Sequence, residues 1–281
     1  MNHAAQRVAA ASNPDFEYIR DVLHRCSAIV IDPHKDYLVE ARLVPLAKRE
    51  GLGSLTALVA KLRSEGPSSA LLRRVIDAMT TNETLFFRDV HPFEALRARL
   101  LPELLARRTT RELRIWSAAC SSGQEPYTIA MMLRESFPQL ATWKVEILAT
   151  DLSPTMIAKA RAGVYGKIEV NRGLPLPLLA KYFAQEGPDY RINEGLRSMV
   201  TFREQNLATQ WPAMGPFDLV FLRNVLIYFD VATKKSILSR TLRLMRPDGY
   251  LLLGAAETTL NLEDRFERVP LDRAGCYRIR S

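Results

Sequence analysis

Five stretches of the sequence carry residue types that could do chemistry. The first, Ser117-Ala118-Ala119-Cys120-Ser121-Ser122-Gly123-Gln124-Glu125-Pro126, is a run of small residues ending in an acid. Small side chains let a ligand approach the backbone, and a helix starting at Pro126 offers unpaired N–H groups. Glu125 suits a cationic group such as an ammonium, and it is equally a first-turn acid that stabilises its helix. The second stretch, Leu148-Ala149-Thr150-Asp151, places an acid about 25 to 30 residues past the first loop, where a carboxylate can accept both hydroxyls of a ribose. Asp151 can also cap the following helix, although Ser153 ahead of Pro154 supplies that role. The third, Glu204-Gln205-Asn206-Leu207, offers an amide that can pair with an adenine edge. In the fourth, Phe221 to Asp230, Arg223 and Asn224 interrupt an apolar run, and buried polar groups need partners. The fifth, Thr80 to Arg88, runs from polar residues through Phe86 and Phe87 to a cation. Its simplest reading is a capped linker whose Phe pair staples two domains.

The elements that must position these residues follow from periodicity. Residues 14–80 read as helices: Asn13-Pro14 is an N-cap followed by proline, and Phe16, Ile19, Val22, Leu23 and Cys26 recur at helical spacing. Ser54 caps a helix with Leu55, Leu58, Val59 and Leu62 inward, and Gly66-Pro67-Ser68 starts another with Leu71, Leu72, Val75, Ile76 and Met79 inward. From residue 112, short β-branched runs alternate with helical periods, the pattern of parallel βαβ units. Strands are expected at Leu113–Ala118, Lys144–Ala149, Met199–Arg203, Phe217–Leu222, Gly249–Gly254 and Cys276–Ile279. Helices are expected at Pro126–Phe137, Pro154–Ala162 and Val231–Met245, the last capped by Asp230. In a doubly wound sheet, ligands bind at the carboxyl ends of the strands. Four of the five stretches fall there, and their groups together suit an adenosine with a charged tail.

The 281 residues are 47% hydrophobic and 25% charged, which excludes a disordered or low-complexity chain. No apolar run approaches the roughly 20 residues of a membrane span, and the N-terminus lacks the apolar core of a secretory signal. Three scattered cysteines argue against a disulfide framework or a zinc site and fit a reducing cytosol. The formal charge is +8, and the stretch from Arg97 to Arg114 holds six arginines against Glu103 and Glu112. An amphipathic helix with a solvated basic face explains that segment. The excess admits nucleic acid, an anionic membrane or an acidic protein as partner.

The motifs NETLFFR (82–88), WSAACSSGQEPYTIA (116–130), ATDLS (149–153), FDLVFLRNVLIYFD (217–230) and RPDGYLLLG (246–254) resemble those of CheR-type chemotaxis-receptor methyltransferases, in family order. The resemblance runs from residue 14 to about 280. It implies an α/β fold: a class I, Rossmann-like methyltransferase sheet domain with a small antiparallel β subdomain, preceded by a small all-helical domain. The implied divisions are 14–80 helical, 81–111 linker and connecting helix, and 112–281 S-adenosyl-L-methionine-binding, with 189–202 as the β subdomain. It further implies that Asn82, Thr84, Arg88, Glu125, Asp151, Asn206, Leu207, Arg223 and Asn224 line the cofactor pocket. Asp151 would hold the ribose, Asn206 and Leu207 the adenine side, and Glu125 the charged end, with Arg88 and Tyr228 facing the reacting centre.

The implied activity is methyl transfer from S-adenosyl-L-methionine to glutamates on cytoplasmic helices of chemoreceptors, giving methyl esters and S-adenosyl-L-homocysteine. Members that tether to a receptor's C-terminal pentapeptide have a glycine-rich insertion in the β subdomain. Gln185-Glu186-Gly187-Pro188 lacks its GxG pattern, so no tether is expected. Amino-methylating nucleic-acid enzymes carry an Asp/Asn-Pro-Pro-aromatic segment after the fourth strand, and Asn224-Val225-Leu226-Ile227-Tyr228 has neither proline. No cysteine follows a proline, as a cytosine-C5 nucleophile would. Nucleic acid and direct membrane insertion are therefore not expected. A non-catalytic cofactor-binding scaffold could dispense with Arg88 and Tyr228, and both are present.

Overall fold

A computed structural model describes residues 13–271 and 273–280. The chain divides into two compact units, one ending at Met79 and one beginning at Thr80.

The first unit comprises α1 (Pro14–Ser27), α2 (Asp36–Arg49), α3 (Leu55–Glu65) and α4 (Ala70–Met79). Local signals set its helix ends. Asn13 Oδ1 accepts from Asp15 N at 3.0 Å, and Ser54 Oγ accepts from Ala57 N at 3.1 Å, each satisfying an orphan N–H of a first turn. Ile19, Leu23, Leu43, Leu58, Leu71 and Val75 recur at helical spacing and form a core of their own.

The second unit opens with α5 (His91–Ala95), a π turn (Leu96–Leu100) and α6 (Leu101–Arg107). Pro102 lacks an N–H, and just before it the ladder slips to a bond from Leu101 N to Leu96 O. There follow β1 (Glu112–Ala118), α7 (Gln124–Ser136), β2 (Lys144–Asp151), α8 (Pro154–Ala162), β3 (Val164–Gly166), α9 (Lys167–Asn171), α10 (Leu176–Tyr182), β4 (Phe183–Glu186), β5 (Asp189–Ile192), α11 (Glu194–Arg197), β6 (Val200–Glu204), β7 (Phe217–Leu222), α12 (Val231–Arg243), β8 (Met245–Leu253), β9 (Phe266–Arg268) and β10 (Gly275–Ile279). The large sheet has the order β6-β2-β1-β7-β8-β10-β9. Strands β6 through β8 in that order run parallel, while β10 is antiparallel to both its neighbours. Strand β7 is buried along its whole length, as a central parallel strand covered on both faces must be. The chain winds outward from β1 through β2 to β6 and returns to β7 on the other side of β1. The carboxyl ends of β1 and β7 therefore flank the switch point where such sheets bind ligands.

Three expectations need correction. The antiparallel subdomain is the three-stranded sheet β3-β5-β4, spanning 164–192, not 189–202. After Ile192, Asn193 caps the short helix α11 and ends the strand, and Val200–Glu204 pairs with β2 in the large sheet. The segment 81–111 is not a linker but part of the sheet unit: Phe86, Leu96, Leu100 and Leu104 are buried in its core. Phe86 meets Tyr165 and Phe183 edge-on, and Phe87 meets Phe93, so the Phe pair packs inside this unit. Finally, α12 stops at Arg243, because Met245 already pairs with Phe217 as the start of β8.

In the arginine-rich segment Arg97, Arg99, Arg107 and Arg111 are exposed, whereas Arg108 and Arg114 are drawn into ion pairs of the sheet unit. Arg99 pairs with Glu103 at 2.8 Å, Arg108 with Asp218 and Asp248, and Arg114 with Glu146 at 3.0 Å. Among the described residues no helix is long and apolar enough to cross a membrane.

Candidate active site

The loop after β1 is built from strained and small residues. Ala119 (φ 55°) and Ser121 (φ 50°) take left-handed conformations that cost non-glycine residues about 1–3 kcal/mol each. Gly123 (φ 94°) begins α7 where a Cβ would come within 2.9 Å of Ala160 Cβ. This winding points Ser121 N at the next strand end, where it donates to Asp151 Oδ2 at 2.7 Å. Asp151 Oδ1 accepts from Ser153 N at 2.9 Å, while the cap of α8 is Ser153 Oγ, accepting from Met156 N at 3.0 Å. Asp151 is thus a buried carboxylate held by backbone donors from two elements. Ser121 Oγ also donates to Asn82 O at 2.9 Å, which ties the 82–88 segment to the same place. Cys120 lies in this loop with its thiol pushed well up by burial and, secondarily, by Asp151 and Glu125. It is not a nucleophile at neutral pH.

A second cluster centres on Arg223, just past β7, whose side chain is only 1% exposed. Its Nη1 donates to Glu125 Oε2 at 2.8 Å, and its Nη2 donates to Asp89 Oδ2 and to Arg88 O, both at 2.9 Å. Glu125 Oε1 accepts from Ser117 Oγ at 2.8 Å. Arg223 Nε is buried without a hydrogen-bond partner among the described residues. Arg88 is half-buried; its backbone carbonyl joins this cluster, and its guanidinium donates to Glu83 O at 2.6 Å. Thr84 is half-buried on the same segment, and Phe87 N donates to Thr128 Oγ1 at 3.1 Å.

Asn224 (φ 57°) turns the chain away from β7 into the 3-10 turn Leu226–Tyr228, where Tyr228 is half-buried. One carboxylate, Glu257, holds this turn. It accepts from the N–H groups of Asn224, Val225, Leu226 and Gly254, all within 2.7–2.8 Å. On the far side, Gln205 N donates to Asp151 O at 2.8 Å, which sets Asn206 and Leu207 beside the end of β2. Asn206 Oδ1 accepts from Ala208 N at 2.8 Å. Leu207 is buried, and its carbonyl accepts from Arg240 Nη2 at 2.6 Å and Trp211 Nε1 at 3.2 Å. Arg240 also donates to Thr209 O and lies over the Trp211 ring at 4.4 Å. Trp211 in turn meets Trp116 of β1 edge-on at 5.1 Å.

Bonded contacts therefore gather Asn82 and Asp151 through Ser121, and Arg88 and Glu125 through Arg223; Asn206 and Leu207 follow Gln205 beside the end of β2, and Asn224 follows Arg223 and is held by Glu257. Thr84 and Tyr228 ride on the same segments. Four contributors were missed at the sequence level: Asp89, Ser121, Arg240 and Glu257. The signal for Glu257 was present. It is the first acid after the apolar strand β8, in the position that drew attention to Asp151 after β2.

The donor set fits S-adenosyl-L-methionine. A buried carboxylate suits ribose hydroxyls, and the acceptor capacity left on Glu125 together with the unspent Arg223 Nε suits a zwitterionic tail.

Comparison with known proteins agrees. Residues 82–274 match the family model described as CheR methyltransferase, SAM binding domain, and residues 14–80 match CheR methyltransferase, all-alpha domain. Chemotaxis protein methyltransferase 1 of Pseudomonas aeruginosa is 44% identical over 276 residues, covering 96% of this chain and 100% of that protein. Chemotaxis protein methyltransferase Cher2 of Pseudomonas putida is 42% identical, covering 92% and 96%. The chemotaxis protein methyltransferase of Escherichia coli is 37% identical, covering 92% and 88%. The chain belongs to the CheR methyltransferase family and is an S-adenosyl-L-methionine-dependent methyltransferase.

Proposed function

We propose that the enzyme esterifies glutamate side chains on the cytoplasmic helices of chemoreceptors, releasing S-adenosyl-L-homocysteine, and that it works in the cytoplasm. The observation that carries this reading is the chemistry of the cleft: it offers binding groups, Asp151, Glu125 and Arg223, and a thiol, Cys120, that burial keeps protonated. Such a cleft needs an acceptor that arrives already nucleophilic. A glutamate carboxylate, with an ordinary pKa of about 4.3, is ionised at neutral pH and requires no general base.

When bound, the cofactor supplies a methyl group on a positively charged sulfur. The chain's task is to hold the acceptor oxygen in line with that methyl and to exclude water. Cation and anion become neutral products, so a dry, preorganised site favours the transition state. In this reading Asp151 holds the ribose, Asn206 and Leu207 the adenine side, and Asn82 and Thr84 the wall formed by their segment. Glu125, Arg223 and Asn224 serve the charged end. Arg88 steers the incoming carboxylate; too tight a pair would blunt its nucleophilicity, so its role is positioning. The Tyr228 hydroxyl holds the non-attacking oxygen or the methyl.

Basic positions of the helical unit, Lys61, Arg63, Arg73 and Arg74, are proposed to meet the acidic receptor helix. Arg74 already pairs with Glu50 and Lys61 with Glu65, while Arg63 lies over the Tyr18 ring at 4.4 Å. That leaves exposed Arg73 as the strongest contributor. Strands β4 and β5 join through the two-residue turn Gly187-Pro188, without a glycine-rich insertion, which supports the absence of pentapeptide tethering. Incubation with methyl-labelled cofactor and receptor-bearing membranes tests the function. Alkali-released labelled methanol is expected; label that resists alkali, or appears in nucleic acid, overturns it.

A further inference from the structure

We propose that Glu257 is a positioning residue for methyl transfer, acting through the turn that carries Asn224 and Tyr228. The inference rests on the pocket reading above. Glu257 is 8% exposed, and its two oxygens take four backbone N–H groups: Asn224 and Gly254 on Oε2, Val225 and Leu226 on Oε1. A carboxylate has about four lone-pair sites, so backbone donors fill it. Hydrogen bonds to an ionised acceptor are the stronger class.

The donors come from two elements, the end of β8 and the turn after β7, so one side chain sets the spacing between them. Gly254 shows how close that spacing is. A Cβ there would fall 2.7 Å from Asn224 Nδ2, 2.8 Å from Glu257 Oε2 and 2.9 Å from Asn224 N. Burial of Val225, Leu226 and Phe229 anchors the middle of the turn, and Glu257 sets the backbone at the end nearer β7. Asn224 is left-handed, Ile227 is exposed, and Tyr228 is only half-buried. The Leu226 N–H that Glu257 holds opens the 3-10 turn ending at Tyr228.

The test uses the full chain with E257Q, which keeps the volume but turns an NH2 donor toward backbone donors. The expected result is a kcat about 100-fold lower, the scale of a misplacement of about 1 Å, with the receptor KM held. Tyr228→Phe should then cost less in the E257Q background than in the unmodified enzyme, because residues acting as a unit are non-additive. D218N, at the other end of β7 and also buried, calibrates a purely structural loss: a lower melting temperature with kcat per folded molecule unchanged. If E257Q does not fold, G254A crowds the same junction with the charge retained and should show the same kcat loss. Full kcat in either folded variant, or strict additivity with Tyr228→Phe, overturns the proposal. An unmodified enzyme that forms no base-labile ester would instead overturn the pocket reading on which it rests.

Discussion

The loops after β6 and β7 are each held from behind by one charged side chain, of opposite sign. Arg240 grips the loop after β6 by its carbonyls, Leu207 O and Thr209 O. Glu257 grips the turn after β7 by its N–H groups. Each pin matches the backbone groups its loop leaves without a ladder partner. They differ in layout. Glu257 gathers four backbone N–H groups on two oxygens, whereas Arg240 donates to three carbonyls, Leu207 O, Thr209 O and Ser236 O, and burial, and next the nearby Arg243, pulls its pKa down. They differ also in what their removal strands. Thr209 is exposed, so water can replace Arg240 there, while Val225 and Leu226 are buried and their N–H groups would be left unpaired. An unpaired buried N–H is the costlier defect. The acid is therefore expected to govern catalytic geometry and the arginine to tune affinity.

If both loops serve one pocket, removing a group inside it must outweigh loosening either loop. Asp151→Ala should abolish calorimetric binding of S-adenosyl-L-homocysteine, a loss of at least about 30-fold, since truncating one side of a buried charged hydrogen bond costs about 2–5 kcal/mol. Retained affinity would mean that the loops frame different sites. Arg88→Ala comes next. Binding should stay measurable while transfer of tritiated methyl disappears, and unchanged turnover would remove Arg88 from its assigned role.

Arg240→Met sharpens the contrast directly. Loss of bonds worth about 1.5–3 kcal/mol should weaken S-adenosyl-L-homocysteine binding roughly tenfold or more, with kcat held. If it lowered kcat as E257Q is expected to, the two pins would be equivalent and the contrast void. The smallest effect is expected away from the loops. Charge reversal of Arg63 and Arg73 should raise the receptor KM a few-fold, by about 1 kcal/mol or less, and the effect should fade with salt. A salt-independent KM would reject that docking face.

Much of this was legible in the sequence because it is local. Caps such as Asn13, Ser54, Ser153 and Asp230 announce their helices within three residues. The carboxyl halves of β1 and β2 and the whole of β7 are buried and largely apolar because both faces are covered. The small sheet was misplaced because Val164–Gly166 is too short to show a period and its partners, Asp189 to Arg191, lie far along the chain. Strand β9, with Phe266 as its only apolar residue, gave no signal at all. Polar residues after apolar runs drew attention to Glu125, Asp151, Asn206, Arg223 and Asn224, and the fold sets all five near the carboxyl ends of the parallel strands. Arg240 escaped because an arginine within an amphipathic helix reads as solvent-facing until the tertiary fold sets two carbonyls beside it. Arg108 and Arg114 were misread likewise, since their partners Asp218, Asp248 and Glu146 lie far along the chain.

The clasp on residues 82–88 has a practical consequence for dissecting the enzyme. Asn82 is held by Ser121, Phe87 by Thr128 and Arg88 by Arg223, and Phe86 O runs so near Gly173 that a methyl group there would lie 2.1 Å away. A truncation that keeps this clasp must therefore begin no later than Asn82. One cut at Glu112, where the first strand starts, discards a side of the binding cleft along with the helices it was meant to remove.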